Sequence, residues 1–188
     1  MKRSSSDSWM WAVVLGATAL VVGLAIVKGR QGAPGLDGKV APEVTLNLLD
    51  GKSKTMRLAD EKGTVVILDF WATWCGPCRD SMPLVQKIWK EYEPKGVKLV
   101  AVNTDVSSAN RDPAVREFLL QNRLALTVAI DDDNQQAANA FGISSLPTLV
   151  ILDKAGKVAF AHIGGLNPSA EREFRDVLDK SLRARAVN

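Results

Sequence analysis

The chain has 188 residues, 46% of them hydrophobic, with 24 Lys/Arg, 21 Asp/Glu and only two cysteines. One ordinary domain with an appendage fits that length, and about 160 residues bury a stable core without crosslinks, so the cysteines are not needed as staples. Residues 1–30 hold four of the basic residues and one of the acidic ones, leaving 20 of each in residues 31–188. A formally neutral domain lacks the dense basic face that nucleic-acid binding requires.

After a polar tail at residues 1–8, the run from Trp9 to Val27 carries no charge over 19 residues. As a helix it would rise about 28 Å, close to a bilayer's hydrocarbon thickness of about 30 Å. Trp9 and Trp11 at one end, and Lys28 and Arg30 at the other, are residue types that settle at headgroup level. Residues 9–27 therefore read as a transmembrane anchor. Cleavage of a signal peptide at Ala17-Thr18-Ala19 would leave the apolar Leu20–Val27 on the mature chain, which disfavours that alternative. Basic residues stand on both sides of the span, so charge leaves its orientation open. Residues 28–40, rich in Gly and Pro and without an apolar period, read as a tether to a domain at 41–188.

Within the domain, VTLNLL, Asp50-Gly51 and KTMRL read as a hairpin, because Asp-Gly supplies the positive φ of a tight turn. TVVILDF, residues 64–70, has the apolar, β-branched character of a strand buried on both faces. It leads straight into WATWCGPC, beyond which Val85, Ile88, Trp89 and Tyr92 fall at helical spacing around a predicted kink at Pro83. VKLVAVN is a second central strand, PAVREFLLQN a helix, LALTVAI a strand and Gln135–Phe141 a short helix. TLVILDKAGKVAFAHIG reads as another hairpin. The last helix opens with Asn167 as N-cap and Pro168 at its first position, and buries Phe174, Val177, Leu178 and Leu182. Strands alternating with helices and flanked by hairpins imply an α/β domain with a mixed sheet.

Cys75 and Cys78 hold the chemistry. A closed zinc site wants four ligands, whereas the chain offers these two thiols and one distant histidine, His162. Two thiols at C-x-x-C spacing can close a small disulfide ring when the turn is tight, which Gly76 and Pro77 supply. Following a central strand, Cys75 falls at the N-terminus of the next helix, where unpaired N–H groups and the macrodipole favour a thiolate. That makes Cys75 the exposed, attacking nucleophile and Cys78, one turn in, the covered thiol that resolves a mixed disulfide.

DFWATWCGPC, with Pro83 five residues on and GISSLPT at 142–148, resembles thioredoxin from about Thr64 to Lys180. The extra hairpin at 43–58, an insertion at about 107–131 and the anchor resemble the membrane-anchored TlpA/ResA-type thiol–disulfide oxidoreductases that face the bacterial periplasm. This resemblance implies a thioredoxin fold, with a mixed central sheet flanked by helices and an αβ insertion. It further implies reduction of disulfides in extracytoplasmic partner proteins, with apocytochrome c before haem attachment as a candidate substrate. No cofactor is expected, and a transmembrane thiol–disulfide electron donor is.

Pro147 matches the family's cis-proline, Leu146 the neighbour whose backbone pairs with the substrate chain, Trp74 the active-site tryptophan and Gly164 the glycine that lets a partner approach. With Gly76 and Pro77 these form the expected substrate-contacting set. Asp69 matches a buried aspartate that exchanges a proton with the second cysteine. The tethered subgroup commonly has asparagine there, and the lysine that accompanies the aspartate in thioredoxin is replaced by Ala101, so burial should raise the pKa of Asp69.

Two rival functions use the same residues. A reduced C-x-x-C can bind a soft monovalent ion and so serve copper delivery, although no Met or His ligand stands nearby. A disulfide-forming oxidase is disfavoured by Gly-Pro, which goes with a potential near −270 mV as against about −120 mV for a strong oxidant of this type. Trp71 and Trp89 read as core, His162 as a strand residue facing water, and Asp131-Asp132-Asp133 as a solvated turn that starts a helix.

Overall fold

The computed structural model describes residues 36–49, 54–131 and 133–184. Seven strands form one mixed sheet: β1 Thr45–Leu48, β2 Thr55–Arg57, β3 Val66–Trp71, β4 Lys98–Asn103, β5 Thr127–Ile130, β6 Thr148–Leu152 and β7 Val158–Ile163. Their spatial order is β2-β1-β5-β4-β3-β6-β7. Strands β3, β4 and β5 are parallel, and β6, β7, β1 and β2 join antiparallel. Four helices follow the strands: α1 Gly76–Tyr92, α2 Arg111–Gln121, α3 Gln136–Ala140 and α4 Pro168–Arg183.

Every residue of β3 is buried, as a strand covered on both faces demands. Its alternation sends Val66, Leu68 and Phe70 to a core shared with Ala137 and Phe141, around α3. Val65 and Ile67 go to the opposite core, built with Val85, Ile88 and Trp89 of α1 and Phe174 and Leu178 of α4. Trp71 continues that face into a cluster with both cysteines, Val115 and Phe118 of α2, and Met82, which corrects the expectation that no methionine stands near the pair. The sheet is thus sandwiched between helical layers, the thioredoxin-like arrangement expected from the sequence.

The apolar period of α1 does what its spacing implies, burying Val85, Ile88, Trp89 and Tyr92, and Trp89 Nε1 donates to Val97 O at 3.0 Å. Pro83 lies on the exposed side and the helix runs on through it to Tyr92. Asn167 caps α4, its Oδ1 accepting from Ser169 N at 3.0 Å and Ala170 N at 2.9 Å. Phe174 is fully buried against Phe160 in an edge-on contact of 5.5 Å.

The first hairpin stands, and three other readings shift. The hairpin pairs Thr45–Asn47 with Thr55–Arg57, whereas its Asp50-Gly51 turn lies outside the described residues. Residues 38–40, assigned to the tether from the sequence, belong to the domain with Ala41: they dock on the β6–β7 hairpin through Gly38 N to Val158 O and Ala41 N to Gly156 O, both 2.8 Å. Asp131 is not solvated: its carboxylate is buried and accepts from Ala137 N and Ala138 N, both at 2.9 Å, satisfying orphan donors of α3. His162 does not face water either, since its ring stacks on Phe160 at 5.9 Å and its Nε2 lies 3.3 Å from Gly165 O. No helix among the described residues is long and apolar enough to cross a membrane, and the span expected at 9–27 lies outside them.

Phe174→Ala should lower stability by about 3–5 kcal/mol, because the ring is wholly buried between α4 and β7 and its removal leaves a cavity. Urea unfolding should show a lower midpoint at an unchanged slope. A loss under about 1 kcal/mol would mean that the α4–β7 seam contributes little to the fold.

Candidate active site

Strand β3 ends at Trp71 and the chain reaches α1 within four residues, turning through Cys75 N to Ala72 O at 3.1 Å. Cys75 is the N-cap of α1: its backbone is extended, and its Sγ accepts from Cys78 N at 3.2 Å. Helix N-termini leave such donors unpaired, so the sulfur sits where negative charge is favoured. Gly76 and Pro77 form the first turn of the helix itself, and both are exposed. Cys75 and Cys78 are joined in a disulfide with their Cα atoms 5.3 Å apart.

The order of exposure agrees with expectation, but its degree does not. Cys75 is only 4% exposed and Cys78 is fully enclosed. Cys75 packs into the cluster of Trp71, Ala72 and Met82 as it bonds to Cys78, so the disulfide lies just under the surface. The exposed rim is Trp74, 73% accessible, together with Gly76 and Pro77.

The other expected residues converge on the same edge. The Leu146–Pro147 peptide is cis, and Leu146 packs against the cluster that contains both cysteines. Gly164 has φ +96°, a conformation that side chains rarely adopt, and its N–H donates to Pro147 O at 2.7 Å, tying the end of β7 to the proline loop. Thr148 Oγ1 holds the loop from within through Ser145 O at 2.7 Å.

Asp69, in the middle of β3, is 1% exposed, and neither carboxylate oxygen has a hydrogen-bond partner. By strand alternation it shares the face of Ile67 and Trp71, the one α1 covers, and its ladder neighbours are Ala101 and Leu149. With no cation opposite, desolvation pushes its pKa from 3.8 up to about 7.

A group that sequence reasoning missed also reaches the site. Asp105, just beyond β4, accepts from Thr73 N at 3.1 and 3.3 Å, and Thr104 N donates to Trp71 O at 2.9 Å. The available signal was the polar run Asn103-Thr104-Asp105 at the carboxyl end of a buried parallel strand, the edge where α/β sheets place their sites.

The buried carboxyl makes stability depend on pH. Between about pH 4 and pH 7 the folded state keeps a proton on Asp69 that the unfolded chain has released, so stability falls as pH rises through that window. The shift corresponds to a penalty of order 4 kcal/mol, complete above about pH 7. Oxidised Asp69→Asn should therefore match the parent near pH 4 and exceed it by a few kcal/mol at pH 8. Denaturation curves that stay parallel at both pH values would show that Asp69 is ionised at no such penalty.

The comparisons with known proteins agree with this geometry. Residues 36–178 match the Redoxin family model. The chain is 39% identical over 127 residues to thiol-disulfide oxidoreductase ResA of Bacillus anthracis, covering 68% of this chain and 69% of that protein. It is 36% identical over 144 residues to the thioredoxin-like protein YneN of Bacillus subtilis, covering 76% and 79%. Among solved structures, a putative thiol:disulfide interchange protein DsbE from Chlorobium tepidum superposes with a TM-score of 0.66 at 35% identity, over 78% of this chain and 97% of that one. A strand-to-helix junction carrying a C-x-x-C disulfide beside a cis-proline, on a chain with these relatives, has one assignment: it belongs to the redoxin family and is a thioredoxin-fold thiol–disulfide oxidoreductase.

Proposed function

We propose that the chain is a membrane-tethered reductase of disulfides in extracytoplasmic proteins, and the observation that carries this reading is Cys75 Sγ capping α1 while bonded to Cys78. In the reduced enzyme the Cys75 thiolate attacks one sulfur of a substrate disulfide, forming a mixed disulfide and releasing the other substrate sulfur as a thiolate, which takes up a proton. Cys78 then loses its proton to Asp69, whose pKa near neutrality suits it as the acceptor, and attacks Cys75 Sγ. The substrate leaves with two thiols, and the enzyme is left with the Cys75–Cys78 disulfide. Trp74, Gly76 and Pro77 face the partner, while Leu146, Pro147 and Gly164 supply the edge on which its backbone lies.

The uncharged run at 9–27 supports a single membrane span, and the resemblance to the membrane-anchored TlpA/ResA-type oxidoreductases favours a domain on the periplasmic side of a bacterial inner membrane. There a reductase is spent after one turnover. Two electrons and two protons must come from a dithiol in a membrane protein, and tethering raises the effective concentration of the domain near it. Apocytochrome c, whose haem-attachment cysteines must be reduced, is the substrate class we favour.

Two experiments test this reading. Cys78→Ser should accumulate mixed disulfides through Cys75 in cells, located by mass spectrometry; a partner held instead on Cys78 in Cys75→Ser would reverse the roles. In acid-quenched cells the Cys75–Cys78 pair should be mostly reduced, and should become oxidised in strains lacking candidate transmembrane dithiol donors. A pair that is largely oxidised in the parent strain, and reduced only when a periplasmic oxidant system is removed, would assign the domain to disulfide formation.

A further inference from the structure

Strands β3 and β4 run parallel with Trp71 opposite Asn103, so the segments that follow them leave the sheet side by side. Trp71–Thr73 approaches the cysteines, and Asn103–Asp105 makes three contacts with it. Thr104 N and Thr104 Oγ1 both donate to Trp71 O, at 2.9 and 3.3 Å. Two residues on, the Asp105 carboxylate accepts from Thr73 N through both oxygens. Asp105 is itself held: Asn103 Nδ2 donates to its Oδ2 at 3.0 Å, and its own N–H donates to Asn103 Oδ1 at 3.2 Å. Asn103 is fully buried, so the carboxylate is braced from inside the sheet.

The Thr73 amide lies inside the turn that Cys75 N closes on Ala72 O, two residues before the N-cap sulfur. No other partner for that N–H is found among the described residues, and a half-buried amide left unpaired loosens the turn around it. We propose that Asp105, braced by Asn103, is a positioning residue for the dithiol: by accepting the Thr73 N–H it fixes the turn that sets Cys75 Sγ over the Cys78 N–H. The proposal rests on the reading of Cys75 as the attacking thiol. Asp105 has no part in bond making; it acts through the backbone, and its negative charge is incidental to the role.

Charge and hydrogen bonding are separated by two neutral variants of the full chain. Asp105→Asn keeps an oxygen that can serve both Thr73 N–H and Asn103 Nδ2, whereas Asp105→Ala removes the acceptor. Two quantities are read on the reduced proteins: amide exchange of Thr73 by NMR, and the rate at which iodoacetamide alkylates each cysteine at pH 7, located by mass spectrometry. Relative to Asp105→Asn, Asp105→Ala should exchange the Thr73 amide about tenfold faster and alkylate Cys75 about fivefold more slowly, the scale of one lost hydrogen bond.

Asp105→Asn should exchange Thr73 as the parent does. Equal exchange and equal alkylation in the two variants would overturn the proposal. Faster exchange with unchanged alkylation would overturn it as well, because a clamp that does not reach the sulfur positions nothing. If the label is found on Cys78 in the parent chain, the attacking-thiol reading has failed instead, and the Thr73 exchange alone decides whether Asp105 is the clamp.

Discussion

The hydrogen bond from Cys78 N to Cys75 Sγ is the constraint on which the rest of the molecule depends. It exists only because α1 begins at the residue after Cys75, and α1 begins there because a four-residue turn carries the chain from the end of β3 to that point. The same bond separates two chemically identical thiols. Cys75 receives one of the free donors of the helix's first turn and the favourable end of its dipole, and Cys78 is fully buried. Sequence spacing makes a disulfide possible here, but the helix start makes it directional.

Asp69 pulls the other way. A carboxyl with no hydrogen bond, flanked in the ladder by Ala101 and Leu149, is an unfavourable thing to put at the centre of a sheet. The fold tolerates it because β3 is otherwise apolar and paired on both sides, so removing the strand from the core would cost more than burying one neutral acid. Neutral is the operative word: with its pKa raised to about 7 the group escapes most of the Born penalty by holding its proton below that pH. A lysine at Ala101 would oppose this shift by favouring the carboxylate.

The sequence made much of this legible, for identifiable reasons. Sequence pattern marked β3 and β4 because strands buried on both faces read as continuous apolar runs, and α1 and α4 because each turns one apolar stripe to the core. Asn167 and Pro168 marked the start of α4 because capping is a local affair of two or three residues. What escaped depends on distant partners. Asp131 looked solvated because its oxygens serve amides six and seven residues away, and the short helix expected at Gln135–Phe141 did not by itself say where its free donors find acceptors. His162 is the exception, its partners being local: residues two apart on a strand share a face, which puts its ring on Phe160, and the turn after β7 brings Gly165 O near its nitrogen. Asp105 meets Thr73 across 32 residues, a contact set by strand register rather than by any motif. The cis peptide at Pro147 was expected from resemblance alone, since nothing in its neighbours' chemistry distinguishes it from a trans bond.

Register also explains how residues from 73 to 164 make one site. Trp71 is level with Asn103 across the parallel pair, Phe70 with Thr148 across the antiparallel one, and Thr148 with Ile163 in the next. One end of the sheet therefore gathers the finish of β3, the finish of β4, the start of β6 and the finish of β7. Each is fixed to its neighbour by backbone hydrogen bonds, so the relative placement of Cys75, Asp105, Pro147 and Gly164 is as rigid as the ladder. Rigidity there comes with openness: Trp74, Gly76 and Pro77 stand out from the edge while the disulfide lies just beneath them. A pocket that enclosed a small molecule would have buried this rim. A rim left exposed around a recessed sulfur pair suits the protein disulfides that the family's activity takes as substrates, and it leaves room for the docking proposed above, with the partner's backbone on the loop at Pro147.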